Sequence, residues 1–254
     1  SFGLQLVVPE GYNLEQISEV IDELRPGSGA RFHKLCVDQK FIATLGFAPA
    51  PASLEGYLFP DTYLVGRKMP EEEMIRAMVK KFKGIFTVEL EDRAKAIGMT
   101  PHEVITLASI IEKETGAKEE RPMISSVFHN RLKKHMRLQT DPTVIYGIKN
   151  YNGNITRKDL ETPTPYNTYT IPALPPGPIA SPGREAIMAA LYPSETEFLF
   201  FVSHNDGTHE FTTTYEDHKK AVTKFQLDPK AREGKSWRDL KKRESASKAA
   251  QAGG

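Results

Sequence analysis

Cysteine is almost absent from the sequence: Cys36 is the one thiol in 254 residues. A single thiol cannot form an internal disulfide, and it excludes a zinc site built from several cysteines. The cysteine content does not decide the compartment, because there is no disulfide framework to read.

Net charge and long hydrophobic runs are also missing. Lys and Arg total 34 against 33 Asp and Glu, a formal net charge of +1, which excludes a global polycation for nucleic acid but not a local basic patch. No stretch approaches the roughly 18 to 20 apolar residues of a membrane span. The chain begins Ser1-Phe2-Gly3 with no signal peptide, and we expect it to be a soluble part of a longer protein.

Several common catalytic motifs are missing as well. The sequence contains no HExxH, no P-loop and no GxGxxG, and no GxSxG nucleophile elbow. The seven histidines show no metal-ligand spacing. A Ser/His/Asp set stays open, because its members need not be close in sequence.

What is present is mainly helical patterning, in a composition of 39% hydrophobic and 26% charged residues that is ordinary for one or two globular domains. Capping boxes at Asn13 and Thr100 predict two helix starts, and apolar spacing predicts one helix over about 30–45. A strand is predicted at 4–8, and a hairpin around 205–207. These patterns predict an α+β fold that is mainly helical with a small β-sheet part.

Two acids near the end of the predicted helix 101–115 are candidates for proton transfer. Glu112 and Glu114 project from opposite edges of its apolar stripe. A carboxyl flanked by bulky apolar groups has a raised pKa because burial disfavours its charge, which suits a general acid near neutral pH. The alternative is that both are solvated helix acids, and periodicity does not choose between them.

Two polar segments are candidates for sugar binding. Gln139, Thr140 and Asp141 precede a proline that biases Asp141 away from helix; the alternative is a turn with an Asx-type bond. In the segment 166–169, two tyrosines flank an amide and a hydroxyl, a pattern that suits carbohydrate stacking. A loop anchored by its own aromatics is the alternative there.

Nine ordered strings carry a more specific signal. They include EKET, RLQTDPTVIYG, YNTY and LPPGPI, and they lie at 54–56, 59–63, 108–115, 126–132, 136–147, 151–153, 159–163, 166–169 and 174–179. Over roughly residues 9–220 the sequence resembles the MltG (YceG-like) family of endolytic murein transglycosylases.

The resemblance implies an organisation and a location. It implies a mainly helical, lysozyme-like catalytic domain at 51–225, preceded at 1–50 by a remnant of a LysM-like α/β region. The tail at 226–254, rich in Lys, Arg, Ser and Ala, is predicted from its composition to be mobile and basic. The resemblance also implies an anchor in the inner membrane outside this chain, with the catalytic domain facing the periplasm and cell wall. The implied partners are peptidoglycan glycan strands and peptidoglycan synthases (penicillin-binding proteins), with no nucleic acid.

The resemblance also implies roles for individual residues. Glu114, the second acid of EKET, would be the catalytic residue. The implied substrate-binding residues are Gln139, Thr140, Asp141, Tyr146, Tyr166, Asn167, Thr168 and Tyr169. Neither a metal nor a cofactor is implied. The expected reaction cleaves the MurNAc–GlcNAc β-1,4 bond and leaves 1,6-anhydro-MurNAc ends.

Three other functions stay open at this point. One is a lysozyme-type muramidase with Glu114 as acid and Asp141 as second carboxylate. Another is a glycan-binding module without catalysis. The third is an aminodeoxychorismate lyase, which normally uses pyridoxal phosphate on a lysine, and no sequence context singles out such a lysine.

Overall fold

The computed structural model describes residues 3–114 and 116–227. The chain divides into two compact units, each assembled from separate segments. Among the described residues, the first comprises residues 3–113 and 137–192, and the second comprises residues 114, 116–136 and 193–227. About half of the described residues are helical, and the strands form two small antiparallel sheets. The predicted α+β class is therefore confirmed.

The first unit holds one two-stranded sheet and most of the helices. Strands β1 (Leu4–Val7) and β2 (Thr62–Val65) pair antiparallel, with Leu4 opposite Val65. The helices are α1 (Leu14–Leu24), α2 (Ser28–Cys36), α3 (Gln39–Ile42), α4 (Glu71–Ile85), α5 (Val88–Ala96), α6 (Pro101–Glu114, to Lys113 in this unit), α8 (Asp141–Tyr146), α9 (Arg157–Glu161) and α10 (Arg184–Leu191).

Helix α6 is buried on all sides over much of its length. Its residues 104–111 are all buried. The predicted apolar stripe would have buried only one face of the helix. A helix that is apolar around its whole circumference belongs to an interior. A second group of buried side chains joins the sheet to α1, α2 and α4. Its fully buried members include Leu6, Ile17, Phe32 and Met78.

The predicted capping boxes are confirmed. The Asn13 side chain accepts from the Gln16 amide, and the Gln16 side chain accepts from the Asn13 amide, both at 2.9 Å. Thr100 and Glu103 make the same reciprocal pair at 3.0 and 3.1 Å. Each pair satisfies donors that a helix start leaves without a partner.

The single helix expected over 30–45 is wrong, because the chain breaks after Cys36. The Asp38 side chain accepts from the Lys40 amide at 3.0 Å and starts α3 as a new helix. An aspartate that bonds its own nearby backbone competes with continued helix. Helix α3 runs into a 3-10 turn that ends at Gly46, where φ is +78°.

In the second unit one hairpin packs against a helix, and a final helix packs against the hairpin. Helix α7 spans Arg121–Lys133, strands β3 and β4 span Phe200–Ser203 and His209–Thr212, and α11 spans Tyr215–Val222. Phe200 pairs with Thr212, so the predicted hairpin is confirmed. A single π-helical turn, Thr223–Leu227, ends the described chain.

The proposed division at residues 50 and 225 stays a prediction, and the tail from residue 228 onward lies outside the described residues. Within the described ranges, no helix combines the length and apolar character needed to cross a membrane.

Candidate functional site

The backbone of Thr140 and the side chains of Thr143 and Thr168 hold the two predicted sugar-binding segments together in the first unit. The Thr140 amide donates to Thr168 Oγ1 at 3.0 Å, and Thr168 Oγ1 lies 2.8 Å from Thr143 Oγ1. Thr140 and Thr168 are 2% and 0% exposed. Because buried hydroxyls need partners, these bonds fix the segment 139–143 against the segment 166–169.

Asn167 stabilises the loop 166–169 at this contact between the two segments. Its side chain is fully buried, and its Nδ2 donates to the carbonyls of Leu160 and Thr162 at 3.0 and 2.8 Å. Its Oδ1 accepts from the Tyr169 amide at 2.9 Å. This amide therefore ties the loop to α9 and holds the backbone at Tyr169.

Three predicted residues keep accessible surface at this junction. Gln139 is exposed and adopts a left-handed φ of +51°. Asp141 is exposed, and its Oδ1 accepts from the half-buried Tyr169 hydroxyl at 2.6 Å. Asp141 begins α8, so the expectation that it avoids helix is wrong. Pro142 lies in the first turn, where its missing amide leaves no helix bond unmade.

A pair of tyrosine rings adjoins these residues. The ring centroids of Tyr146 and Tyr166 lie 4.8 Å apart with planes at 57°, and both side chains are half-buried. Gly147 leaves room for Tyr166 beside it, because a Cβ on Gly147 would lie 3.3 Å from Tyr166 Cβ.

Glu55 is buried near the tyrosine pair, and the sequence patterns did not identify it as a site residue. Its side chain is 4% exposed. Both of its carboxylate oxygens accept from the Leu14 amide at the start of α1, at 3.2 and 3.0 Å. The signal available in the sequence was an acid inside the apolar run Leu54-Glu55-Gly56-Tyr57-Leu58-Phe59.

Burial dominates the electrostatics around Glu55. It raises the pKa of Glu55 to about 7, although the Leu14 amide and the neighbouring Tyr146 and Gly56 groups act to lower that pKa. Burial, and then the neighbouring Glu55 charge, raise the pKa values of Cys36, Tyr146 and Tyr166. A carboxyl that titrates near neutral pH is typical of functional sites as well as of buried ion networks.

The loop that follows Glu55 is shaped by close packing. Gly56 has a φ of +88°, and a Cβ there would lie 2.4 Å from Pro178 Cβ. Glycine is therefore needed at this position both for its backbone angle and for space. This contact holds the proline-rich segment 174–179 against the turn that carries Glu55.

Glu112 and Glu114 have different surroundings in the structure. Glu112 is half-buried in the first unit, and its Oε1 accepts from the Gly183 amide at 2.9 Å. Gly183 precedes α10 as its cap, so this bond fixes the start of that helix. Glu112 therefore has a structural role whatever its chemistry.

Glu114 is the last residue of α6, half-buried, and the first residue of the second unit. Two residues later, a Cβ on Gly116 would lie 2.8 Å from Gly207 Cα in the hairpin turn of the same unit. The expected rise of the Glu114 pKa stays a prediction.

The structure thus brings the eight predicted substrate-binding residues together in the first unit and carries Glu114 on the second. No group of three or more His, Cys, Asp or Glu is arranged to hold a metal in the part of the chain that the structure describes. A separate apolar cavity of about 660 Å³ in the first unit has Phe47, Tyr57, Phe82 and Phe86 among its lining residues.

Known proteins resemble this chain over most of its length. It is 38% identical to a Bacillus subtilis (strain 168) protein named endolytic murein transglycosylase, across 88% of this chain and 66% of that protein. It is 31% identical to a Streptococcus pneumoniae (D39) protein of the same name, across 85% of this chain and 44% of that protein. The chain therefore spans less than two thirds of these relatives.

A solved structure and a family model agree with these relatives. The crystal structure of a yceG-like protein from Listeria monocytogenes matches with a TM-score of 0.79 and 39% identity, over 87% of this chain and 76% of that one. The YceG-like family model matches residues 3–224. The chain belongs to the YceG-like family.

Proposed function

We propose that this chain is the glycan-cleaving part of an endolytic murein transglycosylase. The observation that carries the proposal is the 38% identity to the Bacillus protein of that name across 88% of this chain. The substrate would be the glycan strand of nascent peptidoglycan, cut internally at the MurNAc–GlcNAc β-1,4 bond.

Glu114 is proposed as the proton-transferring residue. Its protonated carboxyl donates to the glycosidic oxygen, the bond from C1 to that oxygen breaks, and the GlcNAc side leaves as an alcohol. The 6-hydroxyl of the same MurNAc then attacks C1, and the Glu114 carboxylate takes the hydroxyl proton. One residue acts first as acid and then as base.

This reaction needs neither water nor a second carboxylate. The attacking hydroxyl belongs to the substrate, so it gains from proximity. The products are one 1,6-anhydro-MurNAc end and one free GlcNAc 4-hydroxyl, and their masses add to that of the substrate. A retaining hydrolase would instead need a nucleophilic carboxylate, the role that Asp141 would take in the lysozyme-type alternative.

The first unit is proposed as the sugar-binding surface. Tyr166, backed by Tyr146 at 4.8 Å, offers a ring for stacking on a sugar face. Gln139, Asp141 and Tyr169 offer polar groups to sugar hydroxyls. Thr140, Asn167 and Thr168, which are buried, would act by holding these side chains in place.

We also propose a location, partner proteins and a relation to known folds for this chain. We expect an inner-membrane anchor outside this chain, a cell-wall-facing catalytic domain related to lysozyme, and action beside peptidoglycan synthases. A LysM-like origin of residues 1–50 is supported by the α/β character of β1, α1 and α2, with β1 pairing to the more distant β2.

Product analysis of purified murein digested by this chain tests the proposal. We expect internal cuts, seen as shortened strands, with anhydro-MurNAc ends in the mass spectrum. MurNAc reducing ends would favour the lysozyme-type reaction, and binding to murein without any cleavage would favour the glycan-binding module. Either result would contradict the transglycosylase proposal for this chain.

A further inference from the structure

Two contacts attach the segment 116–120 to the hairpin of the second unit. At the first contact the two backbones approach closely, because a Cβ on Gly116 would lie 2.8 Å from Gly207 Cα. At the second contact, the Glu120 carboxylate binds His209, the first residue of β4. The segment is therefore held against the hairpin at both of its ends.

The Glu120 carboxylate makes two bonds to the same histidine. Its Oε1 accepts from the His209 backbone amide at 3.2 Å, and its Oε2 accepts from His209 Nδ1 at 2.8 Å. Because an ionised carboxylate can only accept, Nδ1 carries the hydrogen. Two bonds to one residue fix the orientation of the carboxylate as well as its distance.

This pair is largely shielded from water by aromatic rings. The side chains of His209 and Glu120 are 7% and 20% exposed. The imidazole ring lies 5.5 Å from the Phe201 ring and 6.2 Å from the Phe211 ring, centroid to centroid. Phe201 also contacts Phe128 of α7 at 5.7 Å. A hydrogen bond in such surroundings is stronger than one in water, so this contact can hold the segment in one place.

A second histidine–glutamate pair in the same hairpin offers a comparison. His204 Nε2 lies 2.9 Å from Glu210 Oε2, but these side chains are 25% and 47% exposed, and exposed pairs contribute little to stability. They lie six positions apart, so this pair links the hairpin to itself. The His209 pair instead joins positions 89 apart, and it connects the hairpin to the segment 116–120.

We propose that Glu120 and His209 are positioning residues that fix where Glu114 lies for proton transfer. Glu114 belongs to the same unit and lies two residues before Gly116 and six before Glu120. The proposal rests on the proposed function, because it takes Glu114 as the proton-transferring residue. Neither member of the pair contacts the sugar in this scheme. A misplacement of about 1 Å can cost roughly a hundred-fold in rate, so an attachment this near along the chain bears on the reaction.

Two substitutions of Glu120 separate positioning from proton transfer by Glu120 itself. Glu120→Gln can keep both contacts, because its amide oxygen accepts from the His209 backbone and its NH₂ group donates to Nδ1 in the other tautomer. Glu120→Ala removes both contacts. We expect kcat for murein cleavage to fall roughly a hundred-fold in Glu120→Ala and to stay close to the parental value in Glu120→Gln. An equal loss in both variants, or no loss in a folded Glu120→Ala protein, would overturn the positioning role.

Glycan affinity separates positioning from a general loss of structure. The proposed sugar-binding residues belong to the first unit and Glu120 to the second. In a Glu114→Gln background, calorimetry with uncrosslinked murein strands should therefore give the same affinity with and without Glu120→Ala. Glu210→Gln, which alters the exposed pair, is the matched control and should change neither kcat nor affinity. An affinity loss as large as the kcat loss, or an equal rate loss in Glu210→Gln, would overturn the role.

The role of His209 is tested through its bond to Glu120. His209→Ala removes the Nδ1 donor and should slow cleavage, and the double variant with Glu120→Ala should be no slower than the slower single variant. His209→Asn keeps a side-chain N–H donor and should recover most of the rate. Fully additive losses, or no recovery in a folded His209→Asn protein, would contradict a role through this bond.

A measurement without glycan keeps the two proposals distinguishable. The side-chain carboxyl carbon resonance of Glu114, assigned by NMR in the free protein, should shift in Glu120→Ala but not in Glu120→Gln or Glu210→Gln. If the parent fails to cleave murein while this resonance responds, the proposed function is overturned and the positioning contact stands. If the parent cleaves murein and the resonance does not respond, only the positioning proposal is overturned.

Discussion

The two acids near the end of α6 are two residues apart and have different surroundings. Glu112 accepts from the Gly183 amide at 2.9 Å and fixes the start of α10. Glu114 ends the helix and belongs to the second unit. Periodicity alone could not separate them, because the distinction depends on Gly183, 71 residues further along the chain.

Replacing each acid by its amide gives the first prediction. Glu114→Gln should retain the fold and reduce murein cleavage by roughly 10³-fold, because the amide cannot donate the proton. Glu112→Gln should change the rate only a few-fold, since an amide oxygen still accepts from Gly183. Release of soluble fragments from labelled murein, with circular dichroism as the fold control, checks both. Loss of activity in Glu112→Gln alone would reverse the assignment.

Asp141 gives the second prediction at this scale. Its Oδ1 accepts from the Tyr169 hydroxyl at 2.6 Å, a bond that an asparagine oxygen can also accept. Asp141→Asn should therefore reduce kcat/KM by about ten-fold, far less than Glu114→Gln. Steady-state rates on murein strands give the comparison. A glycosyl adduct trapped on Asp141 would instead show a retaining hydrolase.

The buried carboxyl of Glu55 predicts a pH dependence of stability. Its pKa rises from the ordinary 4.5 to about 7, so the folded protein holds this proton more tightly than the unfolded chain does. The contribution is complete below pH 4.5 and is lost as the pH rises to about 7. Such a shift corresponds to about 3 kcal/mol.

Denaturant unfolding at pH 4.5 to 8 measures this effect as a difference between two proteins. The free energy of unfolding of the parent should fall by about 3 kcal/mol relative to that of Glu55→Gln over that interval. The effects of the other titrating groups are common to both proteins and cancel in this difference. Parallel stability curves for the two proteins would show that Glu55 is not held with a raised pKa.

At the scale of elements, the helix starts could be predicted from the sequence because their signals are local. Asn13 with Gln16 and Thr100 with Glu103 each lie three residues apart, and both form the expected bonds. The break after Cys36 was also local, but its signal, Asp38 bonding the Lys40 amide, is weaker than the apolar spacing that ran through it.

The end of α6 carries a prediction about packing. A Cβ on Gly116 would lie 2.8 Å from the backbone of Gly207, which cannot yield as a flexible side chain would. Gly116→Ala should destabilise the second unit by about 1–3 kcal/mol and slow cleavage at least ten-fold by moving Glu114.

A matched control lies on α4. Gly84 has no atom within 4 Å of a Cβ placed there, so Gly84→Ala should stabilise its helix by about 0.5–1 kcal/mol. Thermal unfolding and murein cleavage, measured on both variants, check the pair. Full activity in Gly116→Ala would show that this close contact does not position Glu114.

At the scale of the whole molecule, each unit is assembled from segments far apart in sequence. In the second unit, Ser126 on α7 hydrogen-bonds Thr196 across 70 residues, and Asn130 bonds the carbonyls of Thr196 and Phe198. Local periodicity contains no information about such pairings, so the sequence predicted the α+β class and the hairpin but not these units.

The candidate site shows the same division between what sequence patterns predicted and what they did not. The polar residues of 139–141 and 166–169 were identified as sugar-binding candidates and do meet, through Thr140 and Thr168. Glu55 was missed, because the amide that its carboxyl binds, that of Leu14, lies 41 positions away. An acid whose role depends on a distant partner therefore could not be identified from local sequence patterns.

The central claim, a glycan cut in which water takes no part, is tested most directly by digesting purified murein in water enriched in oxygen-18. If Glu114 catalyses attack by the substrate's own 6-hydroxyl, the new MurNAc ends carry no heavy oxygen and have the anhydro mass, and Glu114→Gln yields almost none of them. Heavy oxygen at C1 of the new MurNAc ends would show that water is the nucleophile and would contradict the account.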